Sequence, residues 1–327
     1  MSALPKWLSL YLNKVHVHDE LANHGGRYPE HWDTLFKRLG NLTAEDLSSR
    51  AVEISQLLQN GNTQPESNQR WHFDPLPFMF SKSEWTFLEE GIKQRTVLLN
   101  AIQQDIYGEQ KLLLEGHIPA QQLYQNSNYL REGFSLPSNE VKLFFTALDI
   151  YRAPSGEFKV LADHCQCPLG MGLLVESRII ARRVMAEEFA DCNVQQIKNF
   201  LKIFQEGINE YTQYMDDPRV VILTQGTDDP NYNEHAFLSV YFGYTLVQSA
   251  DLTVRNGEVC LKSLQGLGKI NVIVRWVPDR SIDSLEQTEY SLHGIPGLLQ
   301  AVREGAVKVL NPFGSGVLSS PAVQCNL

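Results

Sequence analysis

The sequence predicts an α/β fold: a mainly helical block over residues 1–130, then a mixed sheet with flanking helices over residues 131–327. The segment from Val141 to Arg178 reads as a strand, a tight Pro-Ser-Gly turn, a second strand, and a polar loop opening a helix. The segment from Val220 to Tyr244 repeats that order, passing from a β-branched strand through a polar loop into a helix. Before residue 130, apolar residues recur instead at helical spacing. Polar groups gathered where strands end and helices begin are how α/β proteins build small-molecule sites.

Along the chain, Thr43 opens the pattern TAEDLSSRAVEISQLLQNG, with Asp46 three residues on and Gly61 after the periodicity ends. Gln59 to Arg70 is polar and apolar-poor, a mobile loop by composition. Trp71 to Phe80 then brings aromatics and two prolines, an extended segment expected to be pinned onto the core. Ser81 and Glu84 have capping-box spacing, and Trp85, Leu88, Ile92, Leu99, Ile102 and Ile106 mark one buried face behind them. Beyond the two opening strands, Val184 to Tyr214 carries a helical pattern, Val220 to Thr224 a buried strand and Glu234 to Tyr244 a helix. Asn256-Gly257 sits between LTV and EVCLK, the dipeptide favoured where a type I′ hairpin needs positive φ. Ile270 to Trp276 reads as a strand, Pro296 to Arg303 as a short helix, and Val307 to Leu310 as a last strand.

Composition narrows the function. With 327 residues, 43% hydrophobic and 20% charged, the chain can bury a sizeable core as a soluble globular protein. A formal charge of -10 gives no basic footprint for nucleic acid or an anionic membrane, so neither is an expected partner. No apolar run reaches the roughly 18 residues of a spanning helix, and the N-terminus lacks the apolar core of a signal peptide. Five cysteines without framework spacing fit reduced thiols in the cytoplasm.

Asp163 leads the candidate residues, because it follows an apolar strand. There a carboxylate can hold a metal, a substrate amine or an arginine, or cap the next turn. His164 with Cys165 and Cys167 suggests zinc, but a second cysteine pair is missing and packed thiols are the simpler expectation. Glu176 and Arg178 lie on the following helix beside Arg182 and Arg183; an arginine at a cleft binds phosphate or carboxylate bidentately, while a run of them also reads as a solvated face. Arg131 precedes the first strand and can face the same cleft. Tyr232, Glu234 and His235 stand at a helix start, where N–H groups favour anions and His235 serves as base, donor or cap. Asn311-Pro312-Phe313-Gly314-Ser315-Gly316 is a glycine-rich loop after a strand, without the lysine of a P-loop. His16, His18, His24 and His31 cluster in sequence, without the spacing of a helical metal site.

Five segments in order carry a resemblance: DPLPFMFSKSEWTFLEEGIKQRTVLLNAIQQDIYGEQKLLLEGHIP, FKVLADHCQCPLGMGLLVESRIIARR, TQGTDDPNYNEHAFLS, VIVRWVPDRSIDSLE and HGIPGLLQAVREGAVKVLNPFGSGV. Together they resemble circularly permuted ATP-grasp proteins of the kind associated with alpha-E domains, and through them glutathionylspermidine synthetase-like ligases. The resemblance implies a circularly permuted ATP-grasp fold that uses ATP and Mg2+ to activate a carboxylate as an acyl phosphate, which an amine attacks to give an amide. It implies a small-molecule or peptide amine or carboxylate substrate and an alpha-E domain protein as partner.

Carried over by position, Arg131, Asp163, Arg178 and His235 become the catalytic candidates, with Asp163 the metal candidate. Gln166, Glu176, Tyr232, Glu234, Arg275, Asn311, Gly314, Ser315 and Gly316 become substrate or phosphate contacts. The better-known branch of the family has Glu-Asp-Asn where this chain has Ala162-Asp163-His164, and its outer two residues are magnesium ligands that alanine and neutral imidazole replace poorly. Leu169 stands for a family serine, and Pro321 for a lysine that resembles a nucleotide contact. The chain stops abruptly at AVQCNL, as a fragment would, and the family continues further with much of its ATP-binding subdomain. A degenerate or truncated domain acting as a non-catalytic binding or scaffold module is the competing expectation.

Overall fold

The protein's structure is a computed structural model that describes residues 19, 29–40, 42–61, 63, 73–137, 142–287 and 294–325. His16, His18, His24, Trp71 and most of the polar loop from Gln59 to Arg70 lie outside the described residues.

Helices occupy the first part. α1 (Asp33–Leu39), α2 (Ala44–Gln59), the 25-residue α3 (Lys82–Ile106), α4 (Lys111–Leu114) and α5 (Ala120–Tyr124) lead to a 3-10 turn at Arg131–Ser135. Both anticipated capping boxes form. Asp46 N donates to Thr43 Oγ1 at 3.1 Å and Glu84 N to Ser81 Oγ at 3.2 Å, and each acid accepts from the N-cap amide in return. α3 buries Leu88, Leu99, Ile102 and Ile106, whereas Trp85 is exposed, its ring 5.8 Å from Phe80. The N-terminal half of α3 extends beyond the main core, so the buried face predicted from Trp85 onward begins late. Likewise Leu76 and Met79 pack onto the Trp32–Leu39 cluster, but Phe78 and Phe80 remain exposed and pair with each other at 4.8 Å.

β1 (Ala147–Arg152) and β2 (Phe158–His164) form the expected antiparallel hairpin. The first strand starts at Ala147 rather than Val141, because side chains take the preceding amides. Leu143 N donates to Asn100 Oδ1 at 2.8 Å, and Phe144 N and Phe145 N donate to Asn311 Oδ1 at 2.7 and 3.0 Å. The pattern from Val184 to Tyr214 breaks into the end of α6 (Met171–Val184), α7 (Ala186–Asp191) and α8 (Lys198–Thr212), with Asn193 at φ +48 between the last two.

β3 (Val220–Thr224), α9 (Tyr232–Phe242), β4 (Thr245–Gln248), β5 (Leu252–Arg255), β6 (Glu258–Ser263), β7 (Gly266–Lys269), β8 (Val272–Arg275), α10 (Leu298–Arg303), β9 (Lys308–Leu310), a 3-10 turn at Ser315–Ser319 and α11 (Pro321–Gln324) complete the chain. The antiparallel sheet β5-β6-β7 contains the hairpin at Asn256-Gly257, whose φ values of +53 and +79 suit a type I′ turn. The central sheet is parallel, in the order β4-β3-β8-β9. Its side chains alternate between two cores. Val221, Leu223, Ile273 and Val309 meet Leu99, Ile102 and Ile106 of α3, while Ile222, Val272, Val274 and Leu310 meet Leu201, Phe204 and Ile208 of α8 and Leu238 of α9. Burial on both faces explains why these strands read as continuous apolar runs. Among the described residues, no helix is long and apolar enough to cross a membrane. The loops after β3, β8 and β9 leave the same carboxyl edge of the sheet, where α/β folds place ligands.

Candidate functional site

Three of those segments meet at a residue the sequence analysis did not single out, Asp279. Its Oδ1 accepts from Arg275 Nη2 at 2.7 Å, and its Oδ2 accepts from Gln166 Nε2 at 2.6 Å and Gly316 N at 3.3 Å. The structure thus brings Gln166, Arg275 and the glycine loop together, but as partners of one buried carboxylate.

That arrangement corrects several expected roles. Arg275 is wholly buried, and four of its five N–H donors are spent on Asn311 O, Val277 O, Asp279 Oδ1 and Pro312 O. It has little left to offer a substrate or phosphate. Asn311 uses its whole amide internally, accepting from Phe144 N and Phe145 N and donating to Phe145 O and Cys165 O. The loop Gly314-Ser315-Gly316 is packed rather than open. Tyr107 donates its hydroxyl to Gly314 O at 3.1 Å, and a Cβ on Gly314 would stand 2.5 Å from the Tyr107 ring. A Cβ on Gly316 would collide with the Gln166 amide. Ser315 is buried with its Oγ unpartnered. The loop's glycines admit side chains, not a phosphate.

Asp163 is corrected as well. It emerges at the end of β2 as foreseen, but it is wholly buried and takes the arginine role. Arg95 Nε donates to Oδ1 at 2.7 Å and Arg95 Nη2 to Oδ2 at 2.6 Å. Among the described residues no group of three His, Cys, Asp or Glu side chains could hold a metal ion, so the donor set Mg2+ favours does not assemble around Asp163. Cys165 and Cys167 are packed, and burial pushes both thiols up to about 12. His164 pairs with Asp149 at 2.9 Å on the exposed side.

At the other loop, Glu234 accepts from Gly170 N at 2.8 Å and Gly172 N at 3.0 Å, holding the start of α6. Burial raises its pKa, and the amides of Gly172, Gly170 and Met171 offset part of that rise. Glu176 accepts from the amide and hydroxyl of Thr63. His235 is 1% exposed, stacks on Trp276 at 5.3 Å and meets Thr224 Oγ1 through Nδ1 at 3.0 Å. Burial drives its pKa down to about 4, so the imidazole is neutral near pH 7, and its Nε2 has no partner. Tyr232 is the half-buried first residue of α9.

Two arginines remain uncommitted. Arg178 is half-buried with its guanidinium 5.9 Å over the Phe189 ring, and among the described residues it has neither ion pair nor hydrogen bond. Burial lowers its pKa. Arg131 is exposed on a loop whose Leu130 N donates to Tyr107 OH at 3.2 Å, which ties that loop to Gly314.

Sequence reasoning missed Arg95, Tyr107 and Asp279. Only Asp279 left a signal, its four-residue spacing from Arg275; Arg95 and Tyr107 are unremarkable positions in a helical pattern.

Residues 77–326 match the model of circularly permuted ATP-grasp type 2 proteins. The chain belongs to the circularly permuted ATP-grasp family. An uncharacterized protein of Mycobacterium tuberculosis is 35% identical to this ATP-grasp chain over 258 residues, 77% of the chain and 29% of the relative. One of Mycobacterium leprae is 31% identical over 304 residues, covering 91% of the chain and 54% of the relative. One of Synechocystis sp. is 30% identical over 252 residues, covering 76% of the chain and 52% of the relative. The chain therefore spans about half or less of the length of these relatives.

Proposed function

We propose that this chain is the substrate-side part of an ATP-dependent carboxylate–amine ligase, which makes an amide through an acyl phosphate. The observation that carries the reading is Arg178: a half-buried guanidinium without an acceptor, in a segment that matches the ATP-grasp family. A desolvated, unpaired cation is stabilised by an anion, and arginine suits carboxylate and phosphoryl oxygens. Arg178 binds the substrate carboxylate or the transferred phosphoryl group, and Arg131 adds a second positive charge from its exposed loop. Glu234 acts on structure, fixing the Gly170–Gly172 turn at the head of the helix that carries Arg178. The amine and carboxylate are small molecules or peptides, and an alpha-E protein is the proposed partner. The family uses ATP and Mg2+; because metal donors do not assemble among the described residues, these roles concern the organic substrate and its phosphoryl group alone.

A second reading, a non-catalytic binding module, is favoured by the internal use of Asp163, Gln166, Arg275 and Asn311. Thermal unfolding with and without Mg·ATP separates the two. Ligand at about 100 times its dissociation constant stabilises a fold by about 2.7 kcal/mol. A magnesium-dependent rise in Tm supports the ligase, and ligase assays on the Arg178→Ala variant then follow. An unchanged Tm removes ATP binding from this chain and leaves the binding module.

A further inference from the structure

The geometry points to an oxyanion-binding subsite at Arg95, in which Asp163 is the holder and Arg95 the ligand-facing group. A guanidinium offers a side-on edge, Nε with one Nη, and an end-on edge shared by the two Nη groups. Asp163 occupies the side-on edge with two short bonds of 2.7 and 2.6 Å. Among the described residues Nη1 has no acceptor, so the end-on edge keeps parallel N–H donors for a second anion. Asp163 is 0% exposed while the Arg95 side chain is 26% exposed, so the exposed part of Arg95 is not the edge its partner covers. A buried carboxylate behind a partly exposed arginine fixes the guanidinium plane and lowers the entropy lost when it binds.

Gly91 is the second, independent observation. It stands one turn before Arg95 on α3, and helical side chains lean toward the residue four positions earlier. Glycine inside a helix costs about 0.5–1 kcal/mol relative to alanine. Here no packing accounts for it: Gly91 is exposed, and a Cβ added there meets nothing within 4 Å. The absent side chain leaves open space beside the free edge of Arg95.

The ligand class is an anion presenting two oxygens on one atom, a carboxylate or a phosphoryl group. The subsite rests on the ligase reading only for its physiological occupant, the substrate carboxylate or transferred phosphate. Binding of simple anions without ATP can fail while the ligase reading stands, and the reverse.

The test is calorimetric titration of the chain with sodium phosphate and, separately, sodium acetate, in chloride-matched buffer. Two variants accompany it. Arg95→Lys keeps a cation for Asp163 but has no second edge, and Gly91→Leu fills the open space with a better helix former, so it does not depend on disturbing the ion pair. Saturable binding of phosphate or acetate, weakened at least tenfold in both variants, is the expected result. Phosphate alone identifies a phosphoryl subsite, and acetate alone a carboxylate subsite. Absence of saturable binding by either anion, or wild-type binding in either folded variant, overturns the proposal.

Discussion

Tyr107 joins parts of the chain that are distant in sequence. Its hydroxyl accepts from Leu130 N and donates to Gly314 O, and its ring lies between Gly133 and Gly314. A Cβ on Gly133 would stand 2.6 Å from ring carbon Cε1, and the ring is held by bonds at its far end. Gly133→Ala should therefore lower the urea midpoint at unchanged m, by an amount worth about 1–3 kcal/mol. A midpoint equal to wild type would mean the ring can move aside. His235 makes a prediction about pH. Its folded pKa is depressed from 6.5 to about 4, so below pH 6.5 protons bind the unfolded chain in preference. Its contribution is present above pH 6.5 and is lost as pH falls toward 4, about 3 kcal/mol in all. His235→Gln should flatten that limb in a series of denaturant titrations from pH 7 to pH 4; an unchanged slope assigns the acid sensitivity to other groups. Glu234, with a raised pKa, acts in the opposite sense, losing its contribution as pH rises through the folded value.

Among the elements, α3 has two different halves. At 25 residues it is about 37 Å long, yet its fully buried apolar residues before Leu99 are limited to Leu88 among the described residues. Leu99, Ile102 and Ile106 enter the main core. Hydrogen exchange should find amides from Leu99 to Ile106 protected nearly as well as β3 and β8, and those from Trp85 to Gly91 exchanging through local opening. Uniform protection along α3 would show that its outer half is held by something else. The sequence announced this helix through its capping box and spacing, but not where its burial begins. Strands show the same limit. The runs at Val220–Thr224 and Val272–Arg275 are legible because both faces are buried, while the start of β1 is not, since Asn100 and Asn311 capture the amides before Ala147.

For the whole molecule, the parallel sheet with helices on both faces and the loops at its carboxyl edge could be read from patterning and from the family segments. The positions of Gln166, Arg275, Asn311 and Gly314–Gly316 at that edge were legible too. Their availability was not, because it depends on partners far along the chain: Asp279 for Gln166 and Arg275, Phe144, Phe145 and Cys165 for Asn311, Tyr107 for Gly314. A motif marks where a polar group stands and not whether a neighbour has already satisfied it. The bonds from Gln103 and Tyr107 to Phe313 and Gly314 span 210 and 207 residues. Ribosomes add roughly 5–20 residues per second, so α3 is made about 10–40 s before the loop that covers it. During that interval the apolar residues Leu99, Ile102 and Ile106 are solvent-facing on the nascent chain, and α3 is the segment where a chaperone would be expected to bind during synthesis.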